Sequence, residues 1–186
     1  MNSPAHAPYR HFPGSSAGVL ICALITPGPI TTKKRLEDVE KLVGTTIKEG
    51  GKVLCGGKRP SEFNKGYYFE PTNFDNIKDN FTIMREEPFG PIVPILTFKD
   101  FDEVMKRAND NDLGLCSYVY TTDLKKANKA SDKLETGCVA VNTPVVAVAE
   151  APFGGIKQTG YGREGGSMAI KDYLNIKYTH FGISFE

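Results

Sequence analysis

Two adjacent carboxylates, Glu86 and Glu87, precede Pro88-Phe89-Gly90-Pro91, so an acceptor-only pair and an aromatic ring are held between a glycine and prolines just before an apolar run. Loops at strand ends commonly carry function. The alternative is a solvated acidic turn whose phenylalanine tucks into the core, and local chemistry alone leaves both readings open. A second candidate region holds Asn142 with Pro144, then Pro152-Phe153-Gly154-Gly155. It lies outside the C-terminal end of an expected strand, where ligands bind in open α/β sheets. The run Gly160-Tyr161-Gly162-Arg163-Glu164-Gly165 has the G-x-G-x-x-G spacing of a dinucleotide-binding turn. Such a turn must follow a buried apolar strand, and Phe153-Gly154-Gly155-Ile156-Lys157-Gln158-Thr159 is not one. We read these glycines as shaping a tight loop that starts a terminal helix.

The four cysteines, Cys22, Cys55, Cys116 and Cys138, form no Cys-x-x-Cys pair, and only three histidines are present to complete a metal set. No metal site is assigned. Each cysteine is flanked by apolar residues and reads as a small buried hydrophobe with a raised thiol pKa. His6, His11 and His180 lie near the chain ends, and no Ser, His and acid set can be assembled, so no catalytic residue is assigned.

The elements that must position these loops follow from periodicity. Over 31–50, Leu36, Val39, Leu42, Val43 and Ile47 recur at helical spacing, and Gly50-Gly51 supplies a stop. A short strand over 52–55 and an extended segment over 67–74 follow. Then come a strand over 92–98, a helix over 100–109 with Phe101, Val104, Met105 and Ala108 inward, and a strand over 115–121. Asp100 and Glu103 form a capping box for that helix. A helix over 123–135 terminated by Gly137 and a strand over 138–142 complete the series. Alternating strands and helices predict crossover units and a parallel sheet, hence an α/β fold. A helix over 163–174 and a strand over 176–181 end the chain; that strand is rich in aromatic and β-branched residues and has no partner in this chain, so it is a candidate for pairing with another subunit.

Composition limits the partners. Lys and Arg number 23 against 22 Asp and Glu, so no electrostatic pull toward nucleic acid or an anionic membrane exists. The apolar run over 17–25 is far shorter than the roughly 20 residues of a membrane-spanning helix and lacks the flanks of a signal peptide. Residues 1–27, rich in Pro, Ser, Gly and Ala, read as an irregular lead-in. Sparse cysteines point to reduced thiols and an intracellular compartment, cytoplasmic or mitochondrial-matrix.

Taken in order, these segments resemble the aldehyde dehydrogenase family from Gly28 to the end. The resemblance is carried by Gly28-Pro29-Ile30, Gly66-Tyr67-Tyr68-Phe69-Glu70-Pro71-Thr72, the Glu86 to Pro91 motif, Asn109 through Leu115, Gly137 through Asn142, and Pro152 through Gly160. It implies a partial catalytic domain of that α/β, parallel-sheet fold over 28–174, and a C-terminal oligomerisation strand and tail over 175–186. It also implies that Glu87 accepts hydrogen bonds from the ribose hydroxyls on the nicotinamide side of NAD or NADP, for which a carboxylate offers several acceptor sites and no competing donor. Phe89 would pack near the nicotinamide ring, Phe153 would wall the aldehyde pocket, and the loop over 143–150 would shape substrate choice. Family chemistry uses a cysteine thiolate, hydride transfer to the cofactor and a glutamate-assisted water. Residues 1–27 hold neither a Gly-Gln-x-Cys nor a Glu-Leu-Gly-Gly pattern, so the chain is expected to lack the nucleophile and the cofactor domain. The pattern of Glu150 to Gly155, Gly162 to Gly165 and Tyr173 to Tyr178 is similar to the succinate-semialdehyde dehydrogenase branch. The expectation is a subunit portion inactive alone that forms a homo-oligomer or joins intact subunits; the rival is a non-catalytic interaction protein.

Overall fold

Helix α1 (Lys33–Lys48) realises the helix expected over 31–50. The computed structural model to which it belongs describes residues 28–63 and 65–182, so the expected lead-in and Cys22 lie outside the described residues. Thr32 caps α1, its hydroxyl accepting the Arg35 N–H at 3.2 Å. At the other end Gly50, at φ 103°, lets its own N–H reach Ile47 O at 3.0 Å and the Gly51 N–H reach Thr46 O at 2.9 Å. The buried stripe is Leu36, Val39, Val43 and Thr46. Ile47, expected inward, is exposed. Thr46 takes the last inward position because its hydroxyl donates to Leu42 O at 2.8 Å, so the buried hydroxyl is itself paired.

Strands β1 (Lys52–Cys55) and β2 (Thr72–Asp75) pair antiparallel. The short helix α2 (Thr82–Arg85) leads to β3 (Ile92–Pro94), which pairs parallel with β2. β3 is shorter than the 92–98 expected because Pro94 has no N–H to extend the ladder, although the Ile95 N–H still donates to Phe74 O at 2.9 Å. Phe69, Phe74, Phe81, Ile83 and Ile92 close the core over the α1 stripe.

Helix α3 (Phe101–Asn109) begins with Asp100 accepting the Glu103 N–H at 2.9 Å, while Glu103 accepts the Lys99 N–H at 2.8 Å. Its expected inward residues Phe101, Val104 and Met105 are only half-buried and Ala108 is exposed, because no second layer closes over them among the described residues. Arg107 holds the helix instead, through Asp79 at 2.9 Å, Thr97 O at 2.7 Å and Glu103 at 3.2 Å.

The chain divides into two units, Met1–Arg107 and Ala108–Glu186. In the second unit the strand β4 (Leu113–Gly114) precedes a crossover of β5 (Cys116–Val119), α4 (Leu124–Lys133) and β6 (Cys138–Val141), with β5 and β6 parallel. Strand β7 (Ile156–Lys157) returns antiparallel to β4. The Asp123 carboxylate caps α4, accepting the Lys125 N–H at 2.9 Å and the Lys126 N–H at 3.2 Å. Parallel pairing thus appears as two pairs, β2 with β3 and β5 with β6, within three small sheets rather than one continuous sheet. Among the described residues the second unit buries Ala127, Ala130 and Ala140 but no large apolar side chain.

Two sequence expectations are corrected in this unit. Gly137 does not terminate α4, which ends at an extended Leu134; a Cβ at Gly137 would instead collide with the backbone of Gly154. The terminal helix shrinks to a 3-10 turn, Ala169–Tyr173, because Gly165 at φ 69° and Gly166 at φ 60° take left-handed conformations that a right-handed helix cannot contain. Residues 176–181 are laddered to no strand among the described residues, since a lone segment has no neighbour to supply the hydrogen bonds of a sheet.

Candidate functional site

The Glu86 to Pro91 loop is set by what precedes it. The Glu49 carboxylate, just past the end of α1, accepts the Thr82 N–H at 3.0 Å and the Thr82 hydroxyl at 2.6 Å, so it supplies the cap that Phe81 cannot give α2. The Glu86 N–H closes α2 on Thr82 O at 2.9 Å. Tight turns follow, with the Phe89 N–H donating to Glu87 O at 2.8 Å and the Gly90 N–H to Pro88 O at 2.7 Å. Gly90 must be small, since a Cβ there would lie 2.7 Å from a Val39 methyl in the core.

This folding brings Glu87 and Phe89 into one cleft of about 250 Å³ against α1, lined also by Arg35, Leu42, Thr45 and Thr82. Phe89 is 68% exposed, so the reading in which the ring tucks into the core is excluded. The Arg35 guanidinium lies over that ring, 5.7 Å from its centroid, within cation–π range. Glu87 is exposed and has no side-chain partner among the described residues, which leaves its acceptor sites free for a ligand. Sequence reasoning did not find Arg35. It carries no motif, and only the packing of α1 on the loop places it there.

Phe153 belongs to the second unit and is half-buried. Its backbone is clamped to Glu164 by two hydrogen bonds of 2.7 Å, one in each direction. Arg163 braces the same loop, donating from Nη1 to Gly155 O at 2.9 Å and to Gly162 O at 2.7 Å. The glycine run 160–165 is therefore a structural support for Phe153. No helix starts at it and only the two-residue β7 precedes it, so it lacks the strand-turn-helix frame of a phosphate-binding turn.

Asn142, at φ 56°, spends its side chain within the fold, its carboxamide pairing with the backbone of Thr121. It adjoins a shallow apolar cleft of about 500 Å³ with Tyr120, Leu124, Ala127 and Val141 at the C-terminal ends of β5 and β6. Among the cysteines, Cys55 is exposed rather than buried, whereas Cys116 and Cys138 are half-buried. Burial first, and then the neighbouring Cys138 thiol, push the Cys116 thiol up from the usual range, which disfavours a nucleophilic thiolate. Among the described residues no group of His, Cys, Asp and Glu could hold a metal ion, and no helix is long and apolar enough to cross a membrane.

Comparison with known proteins places these features. The profile of the aldehyde dehydrogenase family matches residues 24–179. A chloroplastic betaine aldehyde dehydrogenase of Beta vulgaris is 42% identical over 159 residues, covering 86% of this chain and 32% of the relative. The NADP(+) succinate-semialdehyde dehydrogenase of Escherichia coli K12 is 39% identical, covering 86% of this chain and 33% of the relative. A Bacillus cereus aldehyde dehydrogenase solved as an NAD+ complex superposes with a TM-score of 0.78 at 41% identity, covering 81% of this chain and 30% of that one. The chain thus spans about a third of the length of the curated relatives it matches.

Proposed function

The chain belongs to the aldehyde dehydrogenase family, and from that premise we propose that it supplies the nicotinamide-side ribose contact and one aldehyde-pocket wall of an NAD(P)-dependent aldehyde dehydrogenase, without the nucleophile. The observation that carries this reading is the Glu87 carboxylate, without a side-chain partner among the described residues, facing a cleft beside the exposed ring of Phe89. A carboxylate so placed accepts hydrogen bonds from two ribose hydroxyls, and the Phe89 ring packs on the nicotinamide side. The cofactor, when bound, supplies the hydride acceptor for oxidation of an aldehyde to its acid. The span 28–174 acts as a partial catalytic domain, and Phe153, held rigidly through Glu164, presents an apolar face to the aldehyde.

None of the three described cysteines suits the nucleophile's role. Cys55 is exposed with its thiol donating to Pro71 O at 3.8 Å, Cys116 holds its proton more tightly than usual, and Cys138 donates to Gly154 O at 3.7 Å. Cys22, outside the described residues, lacks the Gly-Gln-x-Cys pattern, and on these grounds we assign no turnover to the chain alone. The substrate assigned to the assembled enzyme is succinate semialdehyde, on the likeness of the segments over 150–178 to that branch, and the compartment is the cytoplasm or the mitochondrial matrix.

The test has two parts. Titrating NADH and NADPH into the purified chain should show weak binding that Glu87→Gln reduces about tenfold or more, the loss of a hydrogen bond to a charged group. Supplying succinate semialdehyde or betaine aldehyde with NAD or NADP should give no reduced cofactor. Turnover abolished by thiol alkylation would overturn the absence of a nucleophile.

A second reading is favoured by the terminal segment, where Tyr173, Ile176, Tyr178 and Phe181 are all more than four-fifths exposed. An apolar strip of this kind is suited to pairing with another subunit, so the chain would act as a non-catalytic partner of intact subunits. Native mass measurement with the full-length enzyme decides it: a mixed oligomer supports partnership, and separate species sink it.

A further inference from the structure

The parallel pairing of β5 with β6 puts Cys116 directly opposite Cys138. Register partners on parallel strands point to the same face, and strands lie about 4.8 Å apart, which falls within the roughly 4.4–6.8 Å between Cα atoms that a disulfide spans. Both thiols are free and half-buried. The Cys138 thiol also donates to Gly154 O at 3.7 Å, next to Phe153. We propose that Cys116 and Cys138 form an oxidisable dithiol that a small-molecule disulfide closes into a cross-strand bond, and that this closure is coupled to the loop carrying Phe153.

The chemistry is two successive exchanges. A thiolate of the pair attacks one sulfur of the oxidant, forming a mixed disulfide and releasing one small thiol. The second protein thiolate attacks the protein sulfur of that mixed disulfide, forming the Cys116–Cys138 bond and releasing the second small thiol. Two protein thiols are oxidised and one small disulfide is reduced, the two protons ending on the released thiols. Closure removes the Cys138 S–H, so Gly154 O loses its donor and the peptide following Phe153 is freed on that side. Because the Cys116 thiol is held protonated by burial, exchange should speed up as pH rises.

The test uses oxidised glutathione on the whole chain and on a Cys22→Ala, Cys55→Ala variant in which Cys116 and Cys138 are the remaining thiols. The expected product of the variant is lighter by two hydrogen atoms, carries no glutathione, and yields one cross-linked peptide pair joining residues 116 and 138. The unmutated chain should yield the same pair, which guards against misfolding of the variant. Adding Cys116→Ala should instead leave one glutathione on Cys138. Two stable glutathione adducts on the variant, a different cross-link in the unmutated chain, or Cys116 and Cys138 thiols that react only after denaturation would each overturn the proposal.

Discussion

The carboxamide of Asn142 grips Thr121 from both sides, Nδ2 donating to Thr121 O at 2.9 Å and Oδ1 accepting the Thr121 N–H at 2.9 Å. The Asn142 N–H also donates to Val119 O at 2.8 Å, so the ends of β5 and β6 are tied together by one residue. Its φ of 56° is one that asparagine tolerates better than most residues.

Asn142→Ala should therefore cost about 2–3 kcal/mol, combining two lost hydrogen bonds with a left-handed alanine. Asn142→Gly should cost less, because glycine removes the conformational term and keeps only the lost hydrogen bonds. Urea denaturation of both variants checks this. Equal losses would mean that the backbone conformation contributes nothing.

Two phenylalanines of the first unit separate structure from function. Phe74 is fully buried at the centre of β2, and Phe74→Ala should destabilise by about 3–5 kcal/mol. Phe89 touches solvent and Arg35, so Phe89→Ala should cost less than about 1 kcal/mol, the size of an exposed cation–π contact. If the proposed function holds, NADH affinity falls in the Phe89 variant even though its urea midpoint barely moves.

Much of the fold was legible because it rests on local rules. The stripe of α1, its closing glycines, the Asp100–Glu103 cap and the β5–α4–β6 crossover follow from periodicity and capping chemistry within a few residues. The misses depend on distant neighbours. Thr46 displaces Ile47 because a back-bonded hydroxyl can be buried, and β3 stops at a proline whose effect depends on what lies beside it. Gly137 looked like a helix terminator, and only contact with Gly154 explains it. The loop of Glu87 and Phe89 could be picked out from its residue types; Arg35 entered the cleft through packing and had no local signature.

Gly137→Ala tests that contact. The added Cβ would overlap Gly154 O and approach Gly155 Cα, both backbone atoms with no flexible side chain to yield. A cost of about 1–3 kcal/mol is expected from such overpacking. Displacing Gly154 also breaks the contact from the Cys138 thiol, so alkylation of Cys138 should become faster. Unchanged reactivity with reduced stability would show that the strain is absorbed elsewhere.

Alkaline pH provides the last test, through Cys116. Burial and the adjacent Cys138 thiol raise its pKa in the folded chain above that of the unfolded one, so the folded state holds the proton more tightly. The associated stability is fully present below the unfolded thiol's pKa, about 8.5, and is lost as pH rises through the folded value. The urea midpoint should thus decline from about that pH upward, and Cys116→Ala should remove that part of the decline while leaving the neutral-pH side flat. Parallel declines in the variant and the parent would mean that other groups, the tyrosines and lysines among them, account for the whole alkaline loss and that the Cys116 thiol ionises as freely in the folded chain as in the unfolded one.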